Sequence, residues 1–175
     1  MALVNFCVAQ DFEELYNRVS KFDSFEQFDS VDEEMIPVMN HILSVPFPKS
    51  KPDKETYFAL KSMLAWMNNT TSYKILIFGK IVEGTKGDKL MQNMFMAAMG
   101  KFLLEERYVN GRHIFPEKQP NVQFMDLPEV RETLLESAKI FLDYLENTSQ
   151  VKPNKEFKKA LKAHNSGTLE SYMFE

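Results

Sequence analysis

Cysteine is all but missing from this chain: Cys7 is the one thiol among 175 residues. A lone thiol excludes an intrachain disulfide framework and any zinc site built on several cysteines. Within the apolar run "ALVNFCVA" it reads as a small buried hydrophobe rather than a nucleophile. Histidine is nearly as scarce. His41, His113 and His164 stand apart and match neither the E-x-x-H nor the H-E-x-x-H spacing that sets ligands on one helix face. No metal and no cofactor are expected.

Long apolar runs are missing too. No uncharged stretch approaches the ~20 residues that cross a bilayer, so no membrane span is expected. The N-terminal run lacks a positive leading segment and meets Asp11, Glu13 and Glu14 directly, which argues against a secretory signal. The expected location is intracellular and cytoplasmic.

What the chain does have is phenylalanine and methionine, fifteen and eleven of them, enough to furnish much of a core. An apolar share of 44% and a charged share of 26% are ordinary for a globular domain. The charge is unevenly placed. Residues 1–47 carry nine carboxylates against Arg18 and Lys21, so the remainder holds a net +3 although the whole chain is −4. An acidic front and a basic back prompt the search for an anionic partner or for head-to-tail self-association.

The hydrophobic pattern divides the chain into helices. "AQDFEELYNRVSKF" sets Phe12, Leu15, Tyr16 and Val19 on one face. "FDSFEQFDS" spaces Phe22, Phe25 and Phe28 three apart between acids, either as an acidic-aromatic recognition segment or as a short turn packing its rings inward. "SVDEEMIPVMNHILSV" reads as a helix capped by Ser30 or Asp32, with Pro37 in its first turns. The prolines of "VPFPKSKPDKE" mark a loop, placing an acidic helical lobe at 1–47 and a main body at 48–175, or one continuous domain. A helix then restarts near Pro52-Asp53, with Tyr57, Leu60, Leu64 and Met67 in a stripe that Phe58, Met63 and Trp66 widen.

"YKILIFGKIVEGTKGDKL" is the most provocative stretch. An apolar run followed by glycines and a helix is the layout of a phosphate-binding loop. Gly79 and Gly84 have the required separation, but Thr85 and Lys86 stand in the reverse order, and Glu83 would repel phosphate. The stretch reads instead as one internal strand with a glycine bulge, leading into a buried methionine-rich helix, "DKLMQNMFMAAMGKFLLEERY", with Met91, Met94, Phe95, Ala98, Met99 and Phe102 on a broad face. Asn110-Gly111 in "YVNGRHIF" is a hairpin signal. "MDLPEVRETLLESAKIFLDYLEN" is a further helix, with Asp126 as cap and Leu127, Val130, Leu134, Phe141 and Leu145 as its stripe.

No nucleophile elbow and no metal-nuclease constellation is present, so no catalytic residue is assigned. The strongest positive feature is the basic helix "NKEFKKALKAHNSG". Lys152, Lys155, Lys158, Lys159 and Lys162 form a ridge opposed by Glu156 alone, with Phe157, Ala160, Leu161 and His164 opposite. Such a ridge suits phosphates or an acidic surface, and Arg112 and Lys118 extend it if the fold brings them close. The terminal Tyr172, Met173 and Phe174 either dock on a neighbour or fold back. Together with Phe22, Phe25 and Phe28 they are the candidate partner interface.

Locally, "YKIL" and "GRHIFPEK" resemble rhabdovirus matrix proteins over about a dozen residues, without the basic, proline-rich N-terminal arm of that family. The resemblance implies a matrix-like structural or accessory role for a viral protein.

The sequence thus predicts a mainly α (α+β) fold: a compact multi-helix domain with one internal strand and a small β-hairpin. Its expected function is non-catalytic assembly, as a homo-oligomer or with a protein partner, through acidic N-terminal and basic C-terminal surfaces. RNA binding by the lysine ridge is the alternative, and a small enzyme with an unrecognised site is the third. No small-molecule ligand is expected.

Overall fold

The computed structural model describes residues 11–46 and 51–175. Cys7, the run around it and the segment at 47–50 where the lobes were divided lie outside the described residues.

Among the described residues, regular structure is helical throughout, which corrects the expected strand and hairpin. The helices are α1 (Phe12–Val19), α2 (Phe25–Asp29), α3 (Asp32–Ser44), α4 (Lys54–Asn69), α5 (Lys80–Gly84), α6 (Lys89–Tyr108), α7 (Pro128–Asn147), α8 (Lys155–Asn165) and α9 (Leu169–Phe174), with a 3₁₀ turn at Phe124–Asp126 before α7.

Both corrections have local causes. Residues 73–78 take no regular structure, and among the described residues there is no strand for them to pair with. Tyr73 and Leu76 are buried, and the Leu76 N–H points at the Met99 sulfur, 3.1 Å away. Gly79, at φ +91°, then opens α5, and Lys80–Gly84 turns into helix despite its β-branched Ile81 and Val82. Asn110-Gly111 is the stop of α6 rather than a hairpin. The Asn110 N–H returns to the Glu105 carbonyl at 3.0 Å and the Arg112 N–H to that of Glu106 at 2.7 Å, with Gly111 left-handed at φ +70°.

Four long-spaced helix starts are fixed by side-chain caps. Asp11 accepts from the Glu13 and Glu14 amides, Asp53 from Thr56, Asp88 from Leu90 and Met91, and Asn154 from Glu156 and Phe157. Helix α7 differs from expectation, because Asp126 lies in the 3₁₀ turn and Pro128 opens the helix without a side-chain cap.

Helix α6 is the axis of the packing. Helix α3 lies on one side of it and α7 on another, α1 and α3 rest on α4, and α8 and α9 lie against α7. One continuous cluster of buried apolar side chains runs from Phe12 to Met173. Met91, Met94, Phe95, Ala98, Met99 and Phe102 are all buried on α6, as their spacing predicts. On α4 Leu60, Met63, Trp66 and Met67 of the expected stripe are buried and Phe58 and Leu64 half-buried, with Tyr57 the exception. Ala59, Met63 and Trp66 are inaccessible while Tyr57 is 44% exposed.

A polar node joins the acidic front to the core. Asp32, 1% exposed at the start of α3, accepts from Trp66 Nε1 at 2.9 Å, Tyr73 OH at 3.2 Å and Tyr108 OH at 3.3 Å, with Arg107 at 3.5 Å. Burial pushes its carboxyl above the ordinary aspartate range despite those donors. Three residues earlier, Asp29 shows the opposite balance. Burial raises it, but bonds from the Thr70 and Thr71 hydroxyls and the Thr71 amide outweigh that, and its carboxyl is held low.

Candidate interaction surface

Helix α8 begins where Asn154 turns the chain. Its side chain caps two amides with Oδ1 and donates through Nδ2 to the Gly84 carbonyl at 2.8 Å, tying α8 to α5. Phe157 then inserts against both elements. Its ring meets Phe141 of α7 edge-on at 5.6 Å, and the bare Cα of Gly84 leaves it room. Phe157, Ala160 and Ala163 are buried, while Leu161 and His164 are half-buried. His164 Nε2 meets Asp143 at 2.8 Å.

With that face turned inward, 3.6 residues per turn dictates the outer one. Lys155, Lys158, Lys159 and Lys162 are all exposed, as is Lys152 in the preceding loop. Lys159 pairs with Glu156 at 3.1 Å. The other four have no carboxylate partner among the described residues. Arg18, Lys54, Lys101, Arg107, Arg112, Arg131 and Lys139 do have one, and the other described lysines without one, such as Lys21, Lys51, Lys89 and Lys118, are scattered over separate elements rather than gathered within eleven residues.

Arg112 is held elsewhere, between Glu106 at the end of α6 and Glu132 of α7. Its charge is compensated in place. Lys118 is exposed in the loop after it.

The tail folds back as α9. Leu169 and Met173 are buried, and Tyr172 and Phe174 pack at the edge of the core. Cations lie over both rings: Lys80 over Tyr172 at 5.2 Å and Arg131 over Phe174 at 4.3 Å. Between α8 and α9 runs a shallow cleft lined by Lys159, Lys162, Ser166, Thr168, Tyr172 and Glu175.

The three N-terminal phenylalanines separate. Phe28 is buried and meets Phe22 edge-on at 5.3 Å, whereas Phe25 is 57% exposed. They line a depression of about 310 Å³ with Asp23, Glu26 and Asn69. Asp23 and Glu26 are acids of the expected acidic-aromatic segment, and both are exposed.

Two histidine clusters are architectural. His41 Nε2 lies 3.2 Å from the Thr56 hydroxyl and its Nδ1 3.9 Å from Glu55, an outline like a catalytic triad. Thr56, however, is 2% exposed and its hydroxyl donates to Asp53 at 3.1 Å, so this group is the start of α4. His113 Nε2 contacts the Ser72 carbonyl at 2.7 Å and pins the loop after α6 to the segment that follows α4. Among the described residues no three His, Cys, Asp or Glu side chains converge as a metal site, and no helix is long and apolar enough to cross a membrane. Comparison with protein-family models, with curated proteins and with solved structures returns no match, so the chain's own chemistry carries the functional reading.

Proposed function

We propose that the protein is a non-catalytic interaction protein whose α8 lysine face docks on an acidic protein surface. The observation that carries this reading is the row of Lys152, Lys155, Lys158 and Lys162, exposed and without a carboxylate partner among the described residues. Like charges on one face repel each other slightly in the free protein. An opposing acidic surface removes that repulsion and adds complementarity, which governs encounter rate and partner choice. The acidic front supplies such a surface in kind. Glu14, Asp23, Glu26 and Glu33 are exposed there.

A second reading, RNA binding, draws on the same lysines with Tyr172 beside them as a stacking ring. It is weakened by Arg112, whose guanidinium is committed to Glu106 and Glu132. The two are separated by anisotropy titrations of a labelled poly-glutamate peptide and a labelled single-stranded oligoribonucleotide. The assembly reading expects the peptide to bind and Lys155→Glu/Lys158→Glu/Lys162→Glu to abolish it.

A further inference from the structure

Among the described residues, the well-exposed aromatic rings are covered by cations from the same chain, with one exception. Among the described residues, three aromatic side chains are well exposed: Phe25, Tyr57 and Tyr108. Lys61 lies over Tyr57 at 5.5 Å and Arg107 over Tyr108 at 5.4 Å. Phe25 is the most exposed of the three at 57%, and no described cation lies over it. The carboxylates beside it, Asp23 and Glu26, are exposed and likewise have no described cation partner. An open ring flanked by two unpaired carboxylates lacks one complement, an ammonium or guanidinium group seated on its face.

The same chain carries the complementary set. Lys155, Lys158 and Lys162 stand on one face of α8 with no described partner. The two patches do not meet within one molecule: α2 packs on α4, α8 packs on α7, and no ion pair joins residues 11–34 to residues 152–162.

We infer that the Phe25 cleft of one molecule takes the lysine face of α8 of a second copy. This rests on the reading of α8 as a docking face and names its partner. A lysine suits the site twice over, since its methylene stem covers the ring while its ammonium reaches the acidic rim. The depression, about 310 Å³, has room for the end of such a side chain. Two different patches make the contact heterologous, so each molecule offers one donor face and one acceptor cleft. Assembly then proceeds head to tail, as a ring or as an open chain.

The experiment is sedimentation velocity at low ionic strength on two full-length charge-reversed variants, alone and mixed. Asp23→Lys/Glu26→Lys reverses the cleft and Lys155→Glu/Lys158→Glu/Lys162→Glu reverses the ridge. All five positions are exposed, and unchanged Trp66 fluorescence and melting temperature confirm folding. The unaltered chain is expected to form species beyond the monomer that grow with concentration. Each variant alone is expected to lose about tenfold or more in association constant. An equimolar mixture is expected to regain it, because the acidic ridge of one variant then meets the basic cleft of the other. A mixture that stays monomeric overturns the inference, and so does a cleft-reversed variant that associates like the unaltered chain. The poly-glutamate titration tells the two failures apart. Peptide binding retained by the cleft variant, with no regain in the mixture, removes the second copy as partner and leaves α8 a docking face. Absence of peptide binding removes both, and an oligoribonucleotide bound instead transfers the ridge to RNA.

Discussion

The indole Nε1 of Trp66 donates to Asp32 Oδ1 at 2.9 Å, and neither side chain reaches solvent. Trp66→Phe removes that donor and leaves a carboxylate oxygen unpaired inside the fold, at an expected cost of about 1–3 kcal/mol. Asp32→Ala takes the shared acceptor from Trp66, Tyr73, Tyr108 and Arg107 together, and is expected to cost about 3–5 kcal/mol. Urea unfolding followed by circular dichroism measures both. A Trp66→Phe protein as stable as the unaltered chain removes the node from the account.

Gly84 sets how closely α5 and α8 approach. A Cβ there would stand 2.9 Å from the Phe157 ring edge, which is rigid and cannot curl aside. Gly84→Ala is therefore expected to destabilise by about 1–3 kcal/mol and to speed amide exchange in Lys155–Asn165. Gly100→Ala is the informative contrast. Its Cβ meets the flexible ends of Met67 and Met39, and replacing glycine within a helix recovers about 1 kcal/mol of propensity. Its melting temperature is expected to lie closer to that of the unaltered chain than the Gly84→Ala value does.

Asp29 and Asp32 oppose each other in their response to pH. The lowered pKa of Asp29 means that its stabilising contribution is present above the unfolded value, about 3.9, and is lost as pH falls through the folded value. For Asp32 the folded pKa is raised, so the folded chain holds the proton longer than the unfolded one. Its contribution therefore declines as pH rises from the unfolded value through the folded one. Asp29→Asn should flatten the acid limb of a stability-versus-pH curve, and Asp32→Asn should flatten the decline above it. Urea midpoints measured across acidic and neutral pH check both signs.

Phe25 and Phe28 belong to one short helix yet serve different ends. Phe28→Ala empties a core position and is expected to cost about 3–5 kcal/mol. Phe25→Ala, at an exposed ring, should leave the melting temperature within a degree or two while abolishing whatever concentration-dependent association the chain shows. Calorimetry beside sedimentation distinguishes the two positions.

How far the sequence speaks for the structure depends on which interaction decides each segment. On α1, α6 and α7 the period of buried residues matches the period of the pattern, because one apolar face per helix is what the core demands. The stretch at 73–84 misleads because its β-branched and aromatic residues suit a strand, and a strand needs a partner that is absent among the described residues. There the burial of Tyr73 and Leu76 holds the first half against the core without regular structure, and Ile81 is buried in the helix of the second half. Asn110-Gly111 carries the same left-handed preference in a hairpin and in a helix stop, so the dipeptide alone cannot choose between them. The lysine ridge was legible because Phe157 and Ala160 fix its inward side. The exposure of Phe25 was not, since it depends on where α2 meets α4. Nor was the convergence of Tyr73, Arg107 and Tyr108 on Asp32, which joins residues far apart in the chain.

The most direct test of α8 as a docking face for an acidic protein surface is the anisotropy of a labelled poly-glutamate peptide titrated at low and high salt. The unaltered chain is expected to bind at low salt and to weaken steeply as screening rises. Lys155→Glu/Lys158→Glu/Lys162→Glu should lose about tenfold or more in affinity, while Lys51→Glu/Lys89→Glu, at exposed lysines elsewhere, should bind as the unaltered chain does. Equal binding by the α8 variant, or no binding by the unaltered chain at low salt, contradicts it.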